Sequence, residues 1–330
     1  MQQNKQRGRW PYTVLTALLF VTLLLPQTTA AQSCDSLFVA DSIATDSVAL
    51  PEPLWTCVKV NASMPKSFRA RKMNLITRSD SLQPVFDTLC HSGRPLRVLH
   101  LGDSHVAGKT FPQTIKAQLE KAWGTDSTGH GISYSYMAKN GATALNFLTD
   151  VRLQLIADKQ PDLIILSFGT NECHGMGYRE AQHQQELSEV VDRLRSKCPH
   201  AAFLLTTPPG DYLVTRRVTY PLNKKTGKKQ RVVRRYKKPN PMSARCATLL
   251  DKYAAEEGFA VWNLNAITGG PTAVHNWIAA HMMRSDRIHF TPAGYELQGK
   301  LFCEALLSAY NDYINAHNAA VASTPTPIDK

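Results

Sequence analysis

Five short apolar runs, each followed by an amphipathic stretch, divide the chain between residues 96 and 313. The runs are 97–101, 132–138, 162–168, 202–207 and 259–264, and the amphipathic stretches are 112–122, 142–157, 179–197, 242–257 and 292–313. Apolar runs of this length suit strands covered on both faces, and the stretches between them repeat with the helical period. Strand–helix alternation requires crossover connections, so it predicts an α/β fold: a three-layer α/β/α sandwich around a central parallel sheet with helices on both faces. In such sheets the reactive groups collect beyond the carboxyl ends of the strands.

Short polar motifs fall at those ends. Gly102-Asp103-Ser104-His105 follows the first run, Asn140-Gly141 the second and Gly169-Thr170-Asn171-Glu172 the third, while Asp286-Arg287-Ile288-His289 precedes the last helical stretch. A serine at a strand-to-helix turn presents its hydroxyl at the sheet edge beside backbone N–H groups. Serine is a weak nucleophile until a base takes its proton, and a carboxylate three residues before a histidine can orient that base from a single turn.

These four blocks, in this order, resemble the SGNH (GDSL-like) hydrolase superfamily over roughly Arg94 to Tyr310. The resemblance implies Ser104 as nucleophile, His289 as base and Asp286 as its orienting acid. It also implies an oxyanion hole made by the backbone N–H groups of Ser104 and Gly141 and the Asn171 amide, with no metal or organic cofactor. Asp103, adjacent to the serine, is expected to anchor the turn, and His105 to pack; His174 and His275 are taken as loop residues. The tracts Gly102 to Gly108, Gly129-His130-Gly131 with Asn140-Gly141-Ala142, and Thr268 to Trp277 with Asp286 to Tyr295 are similar to blocks of peptidoglycan O-acetylesterases and related secreted carbohydrate esterases. The resemblance therefore implies removal of O-acetyl groups from a cell-envelope polysaccharide, peptidoglycan first. Carbohydrate O-acetyl transfer, short-chain lipid or aryl ester hydrolysis, and non-catalytic envelope binding stay open. Trp262, Trp277, Arg234 and Arg235 are candidate substrate contacts.

The flanking segments carry different signals. Lys5, Arg7 and Arg9 precede an apolar run from Val14 to Leu25 and the small residues Thr29-Ala30-Ala31, the pattern of an export signal over 1–31 with cleavage near Ala31. The run is short for a membrane span, so the mature protein is expected in the periplasm or outside the cell, not integral to the membrane; Cys34 leaves lipid attachment as an alternative. Residues 32–93 form an extension, 94–316 the hydrolase domain and 317–330 a tail. Seven cysteines lack any metal-site spacing and permit a staple among Cys34, Cys57 and Cys90.

The formal charge of +12 is local. Eleven cations and no acid lie from Arg216 to Lys238, within an insertion over 212–238 that reads as a β-hairpin turning near Gly227. Such an arm suits an anionic envelope polymer. Nucleic acid is not expected, since the arm has few stacking aromatics.

Overall fold

The structure, a computed structural model, describes residues 57–58, 64–128 and 131–323. The expected export signal, Cys34, Gly129, His130 and the end of the tail lie outside them.

Strand β1 (Ile76–Thr77) is followed by helix α1 (Gln83–His91), β2 (Leu96–Gly102), α2 (Ser104–Ala107), α3 (Thr110–Trp123) and β3 (Ile132–Ala138). Then come α4 (Asp150–Ala157), β4 (Leu163–Ser167), α5 (Thr170–Cys173), α6 (Glu180–Lys197) and β5 (Ala202–Thr206). The chain continues through β6 (Tyr212–Thr219), β7 (Val232–Pro239), α7 (Pro241–Glu257), β8 (Ala260–Trp262), α8 (Leu264–Ile267), α9 (Ala273–Ala279) and α10 (Pro292–Ser323).

Six strands form one sheet in the order β1-β8-β5-β4-β2-β3, parallel except for β1, which lies antiparallel on β8. Side chains alternate across it. Val98, Leu163, Ile165 and Leu204 face one apolar layer with α3 and α10; Leu99, Leu101, Ile164, Leu166 and Phe203 face the other with α6 and α7. Helices thus cover both faces of the sheet, the α/β/α sandwich that the alternation implies.

Two elements differ from expectation. The single helix expected over 142–157 is broken: a 3-10 turn (Ala144–Phe147) precedes α4, because Thr149 is extended and accepts the Arg152 N–H as an N-cap. The last helix runs through Ser323, into the expected tail. Within the extension, β1 adds a sheet strand, while Leu82, Val85 and Phe86 are buried in the same apolar layer as α10. Cys57, Cys90, Cys173, Cys198, Cys246 and Cys303 are all unpaired, so no staple joins Cys57 to Cys90.

The basic insertion is a two-stranded antiparallel hairpin, β6 on β7, standing apart from the main sheet. Its register sets Arg216 opposite Arg235 and Arg217 opposite Arg234.

Candidate active site

Strand register places the motifs side by side. Gly102 pairs with Ala138 and Ser167, and Ser167 pairs with Thr206, so four adjacent strands end on one line. Ser104, Asn140-Gly141 and Asn171 leave three of those ends within a few residues. Each is held there by a local device. A Cβ on Gly102 would meet Val106 Cγ2 at 2.2 Å, so only glycine lets α2 fold back over the strand end. Asp103 then accepts the His105 N–H at 2.8 Å, capping α2. Gly141 sits at φ +69°, where glycine is favoured by backbone conformation and not by lack of room. Glu172 ties two blocks together, accepting from Gly169 N at 2.8 Å and from Ala144 N at 3.0 Å.

His289 arrives from the turn before α10. Asp286 Oδ1 accepts the N–H groups of Ile288 (2.9 Å) and His289 (3.0 Å), closing that turn, and buried Phe290 pins it to the core. The other carboxylate oxygen, Oδ2, lies 3.0 Å from His289 Nδ1, and His289 Nε2 lies 2.9 Å from Ser104 Oγ. Partial burial pushes the Asp286 carboxyl up. The two backbone N–H groups and the His289 ring outweigh that and hold it below its ordinary value. The hairpin root braces the same turn: Tyr212 N donates to Arg287 O at 3.0 Å, the Arg287 guanidinium stacks over the Tyr212 ring, and Lys237 Nζ donates to Ser285 O.

Ser104, Gly141, Asn171 and His289 line one cleft of about 500 Å³, with Gly108, Arg284, Ile288 and Tyr295 among its other walls. Neither the Ser104 N–H nor the Gly141 N–H has an acceptor among the described residues. Asn171 Nδ2 donates to Ala142 O at 2.8 Å, and its second contact, to Asp103 Oδ2, is long at 3.4 Å. That weak contact leaves one amide hydrogen available to a ligand. A hydroxyl against an imidazole, beside unpaired N–H donors, can form an ester with a carbonyl carbon and stabilise the oxyanion that results.

The remaining expected residues fall elsewhere. Asp103 serves as the anchor described, and burial raises its carboxyl to about 7, a rise the His105 N–H and His289 only partly offset. His105 packs beneath His289 with ring centroids 5.5 Å apart, bonds Tyr295 through Nδ1 at 3.0 Å, and is pushed down to about 3 by burial. Trp262 and Trp277 present no surface to a sugar. Both are fully buried, Trp262 between Phe111 and Phe302 with its N–H on Asn74, Trp277 between Phe68 and Phe290. Arg234 and Arg235 are exposed on β7 and do not line the cleft. His275 bonds the Tyr212 hydroxyl at 3.2 Å.

His174 departs furthest from its expected place. It is no incidental loop residue but part of the cleft wall, bonded through Nδ1 to the buried Asp211. The two residues are 37 positions apart, so no local pattern joins them in sequence. Among the described residues no cluster of three His, Cys, Asp or Glu side chains is arranged to hold a metal ion, and no helix is long and apolar enough to cross a membrane.

A parallel sheet with this cleft at its carboxyl edge is the frame of an acyl hydrolase, and the comparisons give the class. The chain belongs to the GDSL-like Lipase/Acylhydrolase family, whose model matches residues 100–297. Its fold is similar to that of a peptidoglycan O-acetylesterase, at 17% identity and a TM-score of 0.51, covering 75% of this chain and 96% of that one. A lipase/acylhydrolase from Enterococcus faecalis (17% identity, TM-score 0.41, 64% of this chain and 96% of that one) is also similar. So is a GDSL-like lipase from Bacteroides thetaiotaomicron (13%, 0.39, 72% and 98%). No curated protein sequence matches the chain.

Proposed function

We propose that this acylhydrolase is an exported serine esterase that removes O-acetyl groups from a cell-envelope polysaccharide, with peptidoglycan the leading substrate. One observation carries the reading: Ser104 Oγ, His289 and Asp286 form a continuous hydrogen-bonded relay opening on a cleft lined by Gly141 and Asn171. The fold likeness to a peptidoglycan O-acetylesterase and the export pattern of residues 1–31 support the choice of substrate and compartment.

In this mechanism His289 Nε2 takes the Ser104 proton as Oγ bonds to the acetyl carbon. The resulting oxyanion is met by the Ser104 and Gly141 N–H groups and the Asn171 amide, each such donor being worth about 10²–10³ in rate. Collapse breaks the bond to the sugar oxygen, which leaves with the proton from His289. Water, deprotonated by His289, then attacks the acetyl-enzyme; acetate departs and Ser104 recovers its proton. Asp286 fixes the tautomer and stabilises the imidazolium at each stage.

The test is acetate release from O-acetylated peptidoglycan, acetylated xylan and p-nitrophenyl acetate, with a Ser104→Ala control. Release from peptidoglycan by the wild type, reduced about 10⁴-fold or more in the variant, is the expected result. Release only from xylan or the small ester rejects the cell-wall substrate; no Ser104-dependent release from any of them rejects the esterase.

The hairpin is the proposed contact to an anionic envelope polymer. Like charges directly opposite destabilise a strand pair, and two-stranded sheets are marginal alone; an anionic partner compensates the Arg216–Arg235 and Arg217–Arg234 pairs. Replacing these four arginines by serine is expected to lower sacculus binding and flatten its salt dependence; binding unchanged from the wild type at both low and moderate salt overturns the contact.

A further inference from the structure

The cleft continues past Asn171. A second cavity of about 340 Å³ adjoins it, and Asn171 and His174 line both. Its far wall is polar, built from Tyr178, Arg179, Gln182 and Glu186 of the loop after α5 and the start of α6. That volume lies within the range ligand pockets occupy, about 300–1,000 Å³.

His174, at the junction, is held by a purpose-built support. Its side chain is 37% exposed, yet Nδ1 is bonded to Asp211, whose side chain is only 2% exposed. Asp211 also accepts from Ser243 Oγ at 2.6 Å and Asn240 Nδ2 at 2.9 Å, both at the start of α7. A carboxylate taken out of water is costly unless donors surround it, and here three donors surround it. Donation from Nδ1 to this carboxylate leaves Nε2 as an acceptor, and Nε2 has no partner among the described residues. The Ser104–His289–Asp286 relay makes no use of this pair. The cleft therefore holds two oriented His–Asp pairs and one strand-end serine.

We propose that the second cavity is a subsite for a sugar ring next to the acetylated one. His174, oriented by Asp211, accepts a hydrogen bond from a substrate hydroxyl at the junction and so sets which ring position meets Ser104. The polar far wall, including an Arg179 with no ion pair among the described residues, suits a polyhydroxylated ring and not an acyl chain. His174 is thus a positioning residue, and Asp211 acts through it. The assignment of the sugar's role rests on the esterase reading above; the existence of the subsite is tested without it.

The direct test is calorimetric titration of the full-length Ser104→Ala protein with chitotetraose, xylotetraose and the corresponding monosaccharides. One tetraose is expected to bind at least tenfold more tightly than its monosaccharide. His174→Gln, and separately Arg179→Ala with Gln182→Ala at the exposed far wall, are expected to weaken that tetraose at least fivefold and the monosaccharide by less. Failure of both tetraoses to out-bind their monosaccharides, or tetraose affinity in both variants unchanged from that of the Ser104→Ala parent, overturns the subsite. In the Ser104-intact enzyme, His174→Gln is expected to raise KM for an acetylated oligosaccharide at least tenfold more than for p-nitrophenyl acetate; an equal change on both esters overturns the positioning role. Absence of Ser104-dependent turnover sinks the esterase reading alone, since the titrations still decide the subsite.

Discussion

The two His–Asp pairs of the cleft are built in opposite ways. His289 and Asp286 lie three residues apart on one turn, and both are open to solvent, with side chains 31% and 44% exposed. His174 and Asp211 come from different connections, and the acid is sealed beneath α7. The Asp286 pair stands against a serine hydroxyl; the Asp211 pair presents only its histidine, to the cleft and the cavity that adjoins it. An exposed carboxylate contributes little to stability and, in the proposed mechanism, stays free to answer charge changes on its histidine. A buried carboxylate with three donors is a fixed part of the fold. Under the proposed mechanism and subsite, the contrast separates a pair that handles protons from one that fixes a direction.

The strongest test of that contrast is rate. His289→Ala is expected to lower acetate release about 10⁴-fold or more, and Asp286→Asn about 10²–10⁴-fold, because the amide favours the wrong tautomer. His174→Ala should stay well short of either on a small acetyl ester. Steady-state kinetics of the three variants check the ranking. A loss at His174 equal to that at His289 would erase the division of labour.

Stability should rank the pairs the other way. Asp211→Ala strands the donors of Asn240 and Ser243 inside the protein, at a cost of about 1–3 kcal/mol for each. Asp286→Ala removes a solvent-exposed pair, at under about 1 kcal/mol in its side-chain contribution. Urea unfolding with a common m-value measures both. Equal losses would mean that the Asp286 turn carries part of the fold, through its bonds to Ile288 and His289.

The same contrast explains what the chain discloses before it is folded. Asp286 and His289 are legible because one turn suffices to join them, and the strand ends at Gly102 and Ser167 are legible because apolar runs stop there. The hairpin is legible from its glycine turn, its β-rich flanks and its charge. His174 and Asp211 are not, because only the register of β4 and β5 and the seating of α7 bring them together. The same holds for Trp262 and Trp277: an aromatic ring looks alike in sequence whether it faces Phe302 or a ligand. The break before α4 is subtler, since Thr149 acts as a cap only because its backbone is extended.

A third carboxylate gives the finest test of what burial with and without donors does. Asp103 is as buried as Asp211, but it has one strong donor, the His105 N–H, and the long contact from Asn171. Burial raises its carboxyl from 3.8 to about 7. Between those values Asp103 holds a proton in the folded protein that it releases in the unfolded chain, so its contribution to stability falls as pH rises from about 4 to 7 and is flat above. Asp103→Asn keeps the acceptor for His105 and removes the buried charge. It should stabilise the protein at pH 8 by on the order of 1–3 kcal/mol, a gain limited because an amide accepts a weaker hydrogen bond than a carboxylate. At pH 4 and below the advantage should vanish, since Asp103 is then protonated in the folded state. Thermal unfolding of both proteins from pH 4 to 8 measures the difference. A gain that does not depend on pH would locate the effect in packing, and a loss at pH 8 would show that Asn171 and His105 supply Asp103 with as much support as Asp211 receives from its three donors.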